Sequence, residues 1–116
     1  MSALEDQFLS LWQASFPDLP LIREYSDVEA WEIDFQERYA KSKRSKRYRA
    51  DFVYLPARAM IEIQGGVYNR GRHVTGSGYE RDCRKYNLAQ SCGWKVFLLS
   101  GKMAKETFWL EKIAAC

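Results

Sequence analysis

The chain has 116 residues, 47% of them hydrophobic and 28% charged, a balance that suits one globular domain and excludes an intrinsically disordered polypeptide. No apolar run nears the roughly 18 residues that span a bilayer. The start, Met1-Ser2-Ala3-Leu4-Glu5-Asp6, carries acids where a secretory leader needs a basic and then an apolar stretch, so a cytoplasmic protein with no membrane partner is expected. Net charge is +3, and the three cysteines, Cys83, Cys92 and Cys116, form no C-x-x-C pair, which argues against a disulfide framework or a zinc site.

In chain order, Ser2 and Glu5 match a capping box, and Leu4, Phe8, Leu11 and Trp12 follow at helical spacing, predicting an amphipathic helix over residues 3–15. Phe16-Pro17-Asp18-Leu19-Pro20 stops it. Leu21 to Tyr25 reads as a short strand. Residues 27–47 are ambiguous: Val28, Trp31, Phe35 and Tyr39 allow a helix, whereas Trp31-Glu32-Ile33-Asp34-Phe35 alternates as a strand does. Tyr48 to Tyr54 and Ala59 to Gln64 are rich in strand formers and flank Leu55-Pro56-Ala57-Arg58, which predicts a β-hairpin with a four-residue loop. Gly65-Gly66 closes it. The glycine-rich and polar residues 67–78 read as a loop, Tyr79 to Cys92 as a helix stopped by Gly93, Trp94 to Leu99 as a buried strand, and Lys102 to Ala115 as a terminal helix. This order points to an α/β sandwich.

Charge is unevenly placed. Arg38 to Arg49 holds seven basic residues and no acid, leaving the rest of the chain at a net −4. Lys41, Lys43, Arg44, Lys46, Arg47 and Arg49 thus form a positive strip on an acidic body, either a solvated loop or a grip for a polyanion. Such residues suit phosphate contacts that set position without reading sequence.

The hairpin carries the chemistry. If Tyr54 pairs with Ala59, then Val53 faces Met60, Phe52 faces Ile61 and Asp51 faces Glu62. Opposed residues stand about 5 Å apart at Cβ, and side chains repeat every second residue. Asp51, Glu62 and Gln64 then share one side, while Phe52, Ile61 and Ile63 enter the core on the other. Two opposed carboxylates repel, and one pKa must rise unless a cation intervenes. Either Arg49 or Arg58 neutralises a surface pair, or the oxygen ligands hold Mg²⁺ or Mn²⁺, which also binds a substrate phosphate.

Asp51, a turn and Glu62-Ile63-Gln64 resemble the metal-binding core of the PD-(D/E)XK nuclease superfamily. The continuation Gly65-Gly66-Val67-Tyr68, Gly71-Arg72-His73, Gly76-Ser77-Gly78-Tyr79, Asp82, Lys85-Tyr86-Asn87 and Gly93-Trp94-Lys95-Val96 is similar to small stand-alone phage and bacterial endonucleases related to very-short-patch repair nucleases. The resemblance covers roughly residues 48–99. It implies a restriction-endonuclease-like α/β/α sandwich with a central mixed sheet. It also implies a Mg²⁺- or Mn²⁺-dependent DNA endonuclease of homing or restriction type, a mismatch nickase or a Holliday-junction resolvase.

Carried over, Asp51, Glu62 and the Ile63 carbonyl would hold the metal. Glu5, from the first helix, would join them or serve only its cap. The superfamily usually has Lys where this chain has Gln64, which can hydrogen-bond a water but adds no charge. Lys85 or Arg72 would supply that charge, with Asp82 orienting one of them; if neither does, the chain is a DNA-binding protein that kept the fold without turnover. His73, the only histidine, would act as a general base or bind the scissile phosphate, and Arg70 and Arg72 would contact DNA. Tyr68, Tyr79 and Tyr86 are expected to pack. One active site cuts one strand, so a homodimer or higher homo-oligomer is expected if both strands are cut.

Overall fold

The computed structural model describes residues 2–64 and 76–116. Helix α1, Ala3–Ser15, starts where the Ser2 hydroxyl accepts the Glu5 backbone N–H at 3.0 Å, satisfying one of the donors a helix start leaves free. The Phe16 N–H closes it on Trp12 O, before Pro17. Strand β1, Ile22–Tyr25, and helix α2, Glu29–Lys41, follow. The ambiguity of residues 27–47 thus resolves largely as helix. Val28 and Trp31 then turn inward together, which the alternating reading would not achieve.

Strands β2, Ala50–Tyr54, and β3, Ala59–Ile63, form the predicted hairpin, with Tyr54 opposite Ala59, Val53 opposite Met60 and Phe52 opposite Ile61. Its loop is a 3-10 turn, Leu55–Ala57, closed by Arg58 in the left-handed region (φ 49°). That conformation is costly for a residue with a Cβ, and long contacts hold it. The Arg58 guanidinium donates to Cys92 O at 2.8 Å, lies 3.2 Å from the Glu29 carboxylate and packs over Trp94, while its carbonyl accepts the Lys95 N–H.

Helix α3 spans Gly76–Ser91 and strand β4 Lys95–Leu99. The helix begins before Tyr79, taking in residues assigned to the loop, because glycine is tolerated at a helix start far better than in its interior. The sheet order is β1-β2-β3-β4, antiparallel except for the parallel β3–β4 pair. Strand β4 is therefore an edge, not the buried strand expected: Leu98 is 44% exposed and Leu99 is its one fully covered residue. The terminal helix is also divided. A 3-10 turn, Met103–Lys105, precedes α4, Thr107–Ala114, and only Leu110 and Ile113 of α4 are buried, with Phe108 exposed.

Helices cover both faces of this mixed sheet. On one, Phe8 and Trp12 of α1 and Leu110 and Ile113 of α4 meet Phe52, Tyr54, Ile61 and Leu99. On the other, Val28 and Trp31 near α2 and Ala89 of α3 meet Val53 and Met60. Among the described residues no helix is long and apolar enough to cross a membrane.

Candidate active site

The hairpin ladder ends at Phe52 and Ile61, and one step further the side chains take over its hydrogen bonding. The Asp51 N–H donates to Glu62 Oε2 at 2.7 Å, and the Ile63 N–H donates to Asp51 Oδ2 at 2.8 Å. Each carboxylate thus bonds the backbone of the opposite strand, which brings the two together as the register predicts. On the neighbouring strand Glu24 would face Asp51, but its backbone turns left-handed (φ 52°) and the β1–β2 pairing skips that step. The backbone around Asp51 is therefore opened from both sides.

Electrostatics follow from this crowding. Burial first, and then the Glu62 charge with a smaller push from Glu5, raise the Asp51 carboxyl from an ordinary 3.8 to about 6, against the Ile63 hydrogen bond and Lys85. Arg49 and Arg58 do not neutralise the pair, because they pair with Glu24 and Glu29. Lys85 does: its ammonium forms an ion pair with Glu62 Oε1, and the two residues are only 6% and 5% exposed. Trp31 fixes Lys85 by donating its indole N–H to the Lys85 carbonyl at 2.8 Å. Helix α3 thus returns a buried cation to Glu62, and Glu62 rather than Asp82 is the group that pairs with Lys85.

Gln64 is engaged elsewhere. Its amide donates to the Tyr86 hydroxyl at 2.9 Å, and that hydroxyl lies 3.3 Å from Glu62 Oε1. Burial and the Glu62 charge push the Tyr86 phenol upward, so it stays a neutral donor. Tyr86 was expected only to pack; the sequence signal that could have marked it is its place next to Lys85 on α3. Tyr79 is more than half exposed and does not pack either.

An open cleft of about 400 Å³ runs past Asp51, lined also by Glu5, Glu24, Lys46, Arg47, Arg49 and Arg81. Glu5 reaches it from the opposite layer but is held 3.6 Å from Arg23, whose guanidinium is 2.9 Å from Asp6 and packs over Phe52. Among the described residues no three acidic, His or Cys side chains gather as a metal site, so Glu5 stands at the cleft without closing on the pair. The basic strip divides. Lys46, Arg47 and Arg49 line the cleft, with Arg47 paired to Glu32. Lys41, Lys43 and Arg44 are exposed beyond it. His73, Arg70, Arg72 and Tyr68 lie outside the described residues.

Asp51 and Glu62 suit a hard divalent cation. Their donors are oxygens alone, the ligand type that Mg²⁺ and Mn²⁺ take, and the raised Asp51 carboxyl reflects burial first and the Glu62 charge second. Comparisons with protein-family models, with curated proteins and with solved structures found no match to this chain.

Proposed function

We propose that this chain is a divalent-metal-dependent DNA endonuclease with a restriction-endonuclease-like α/β/α sandwich. The observation that carries the reading is the meeting of Asp51 and Glu62 across neighbouring strands, with the Lys85 ammonium on Glu62. Asp51, Glu62 and the Ile63 carbonyl would hold Mg²⁺ or Mn²⁺. When bound, the cation supplies charge neutralisation at the phosphate and lowers the pKa of water. Lys85 places the positive charge that Gln64 lacks next to the scissile phosphate. Tyr86 and Gln64 orient Glu62 and the site's solvent, while Lys46, Arg47 and Arg49 face the DNA backbone along the cleft. Lys41, Lys43 and Arg44 extend that contact, and the roles of Arg70 and Arg72 in DNA contact and of His73 in proton transfer are those the resemblance implies. Cutting both strands would require a homodimer or larger homo-oligomer acting in the cytoplasm.

The second reading is a DNA-binding protein without turnover. It is favoured by the commitment of Gln64 to Tyr86 and of Glu62 to Lys85. Supercoiled plasmid incubated with the protein, with and without Mg²⁺ or Mn²⁺, separates the two. Nicking or linearisation that depends on the cation is the expected outcome. Intact plasmid with retained DNA binding would leave the second reading standing.

A further inference from the structure

A second cavity, of about 390 Å³, lies between α2 and α3, lined by Arg38, Tyr48, Gly78, Glu80, Arg81 and Arg84. Its arginines are built into position. Asp34, only 4% exposed, accepts from Arg38 Nε at 2.6 Å and Arg84 Nε at 2.9 Å. Burial pushes the Asp34 carboxyl up, but hydrogen bonds from Arg84 and Arg38 outweigh it and hold the carboxyl below its ordinary value. The buried Tyr48 ring carries two guanidiniums, those of Arg38 and Arg81, each 4.7 Å from its centroid. A buried carboxylate is costly unless fully paired. Here it is paired by arginines that remain partly open to solvent, so its effect is to fix their forks in place.

Arg81 differs from its neighbours. Among the described residues it has no carboxylate partner, and besides the Tyr48 ring its guanidinium reaches the Arg47 carbonyl, at 3.5 Å. It also lines both cavities, the arginine cavity and the cleft that contains Asp51. Three guanidiniums gather here, with Asp34 beneath them, Glu80 on the rim and Glu37 near Arg84, and planar forks match phosphate oxygens better than ammonium groups do. We propose that Arg38, Arg81 and Arg84 form a phosphate station for the DNA backbone beside the scissile position, with Asp34 and Tyr48 as its positioning residues. That the polyanion is DNA rests on the proposed function; the station itself rests on the Asp34 and Tyr48 geometry.

The test is binding of the full chain to a fluorescein-labelled DNA duplex, measured by anisotropy in EDTA across a series of salt concentrations. Arg81→Gln is expected to weaken binding roughly tenfold and to reduce the slope of log K against log salt by about 1. Arg81→Lys keeps the slope and recovers only part of the affinity. Asp34→Asn is the sign test: it removes a negative charge, which simple attraction would reward with tighter binding, yet loosened forks should weaken it. Unchanged melting of Arg81→Gln keeps the result readable even if Asp34→Asn fails to fold. An Arg81→Gln protein with wild-type affinity and slope overturns the station, as does a wild type that does not bind the duplex. Plasmid cleavage with no Arg81 effect would sink the station and spare the nuclease reading; an Arg81 effect without cleavage would do the reverse.

Discussion

The two faces of the sheet are built to different rules. The face under α1 and α4 is sealed with aromatic and aliphatic side chains: Phe8, Trp12, Phe52, Tyr54, Ile61, Leu110 and Ile113. The face under α2 and α3 has an apolar patch of its own, but the buried charges Asp34, Glu62 and Lys85 also lie on that side. Apolar burial stabilises at about 25 cal/mol per Å² and tolerates no gap. Buried charge returns little net stability and depends on every partner being in place. The first face therefore holds the hairpin rigid, and the second uses that rigidity to keep carboxylates, lysine and arginines in fixed relation. The cost of holding buried charge in place is met by the opposite side of the same strands.

The largest effects are expected at the ion pair and at Trp12. Glu62→Leu or Lys85→Met alone should cost about 3–5 kcal/mol, because each strands a buried charge. The double variant should recover most of that loss in chemical denaturation while losing at least about a hundredfold in any cleavage rate. If the double variant is no more stable than the singles, the site is a structural keystone and the contrast between the faces is wrong. Trp12→Ala on the aromatic face should cost about 3–5 kcal/mol with no partner mutation that restores it.

Acidity sharpens the contrast at a single residue. The Asp51 carboxyl is raised from 3.8 to about 6, so the folded state holds its proton after the unfolded chain has released it. Stability should therefore be full below about pH 3.8 as far as Asp51 is concerned, and fall as pH rises to about 6, by up to about 3 kcal/mol. Melting followed across that window should show the decline in the wild type and a flatter profile in Asp51→Asn. Above pH 7, Mn²⁺ should raise the melting temperature of the wild type, with about 2.7 kcal/mol gained at a hundredfold excess over its Kd, and should leave Asp51→Asn nearly unmoved. The smallest effect belongs to the exposed strip. Neutralising Lys41, Lys43 and Arg44 should change stability by no more than about 0.5 kcal/mol, yet flatten the salt dependence of DNA binding.

How much of this was legible depended on whether local pattern or distant partners decided the outcome. The hairpin register was legible, because Phe52 and Ile61 must enter one core and Val53 and Met60 the other, and a slip by one residue would put one strand's pair on the wrong faces. That register alone placed Asp51 against Glu62. Helix α2 was not legible, since Trp31 to Phe35 fits both periods; Trp31 and Asp34 are drawn in by Lys85, Arg84 and Arg38, the first two far along the chain. Strand β4 carries the apolar composition of a central strand, and nothing local says that it lies at the edge. Lys85 was legible as a neighbour of the carboxylate pair, whereas the contacts of Tyr86, Trp31 and Arg81 were not, because they join α3 to Glu62 and Gln64, to α2 and to the segment before β2, all distant in sequence. The DNA contacts of Arg70 and Arg72 and the role of His73 remain expectations of the sequence.

Arg58 has a kinetic meaning beyond its place in the turn. Its guanidinium reaches Glu29, 29 residues back, and Cys92, 34 residues ahead, so the hairpin bend is completed only after distant chain has arrived. A turn of this kind can form early but cannot lock early. Loss of the Arg58 side chain should then be felt in how fast the native state is left as well as in how stable it is, marking that corner as a late clasp in assembly.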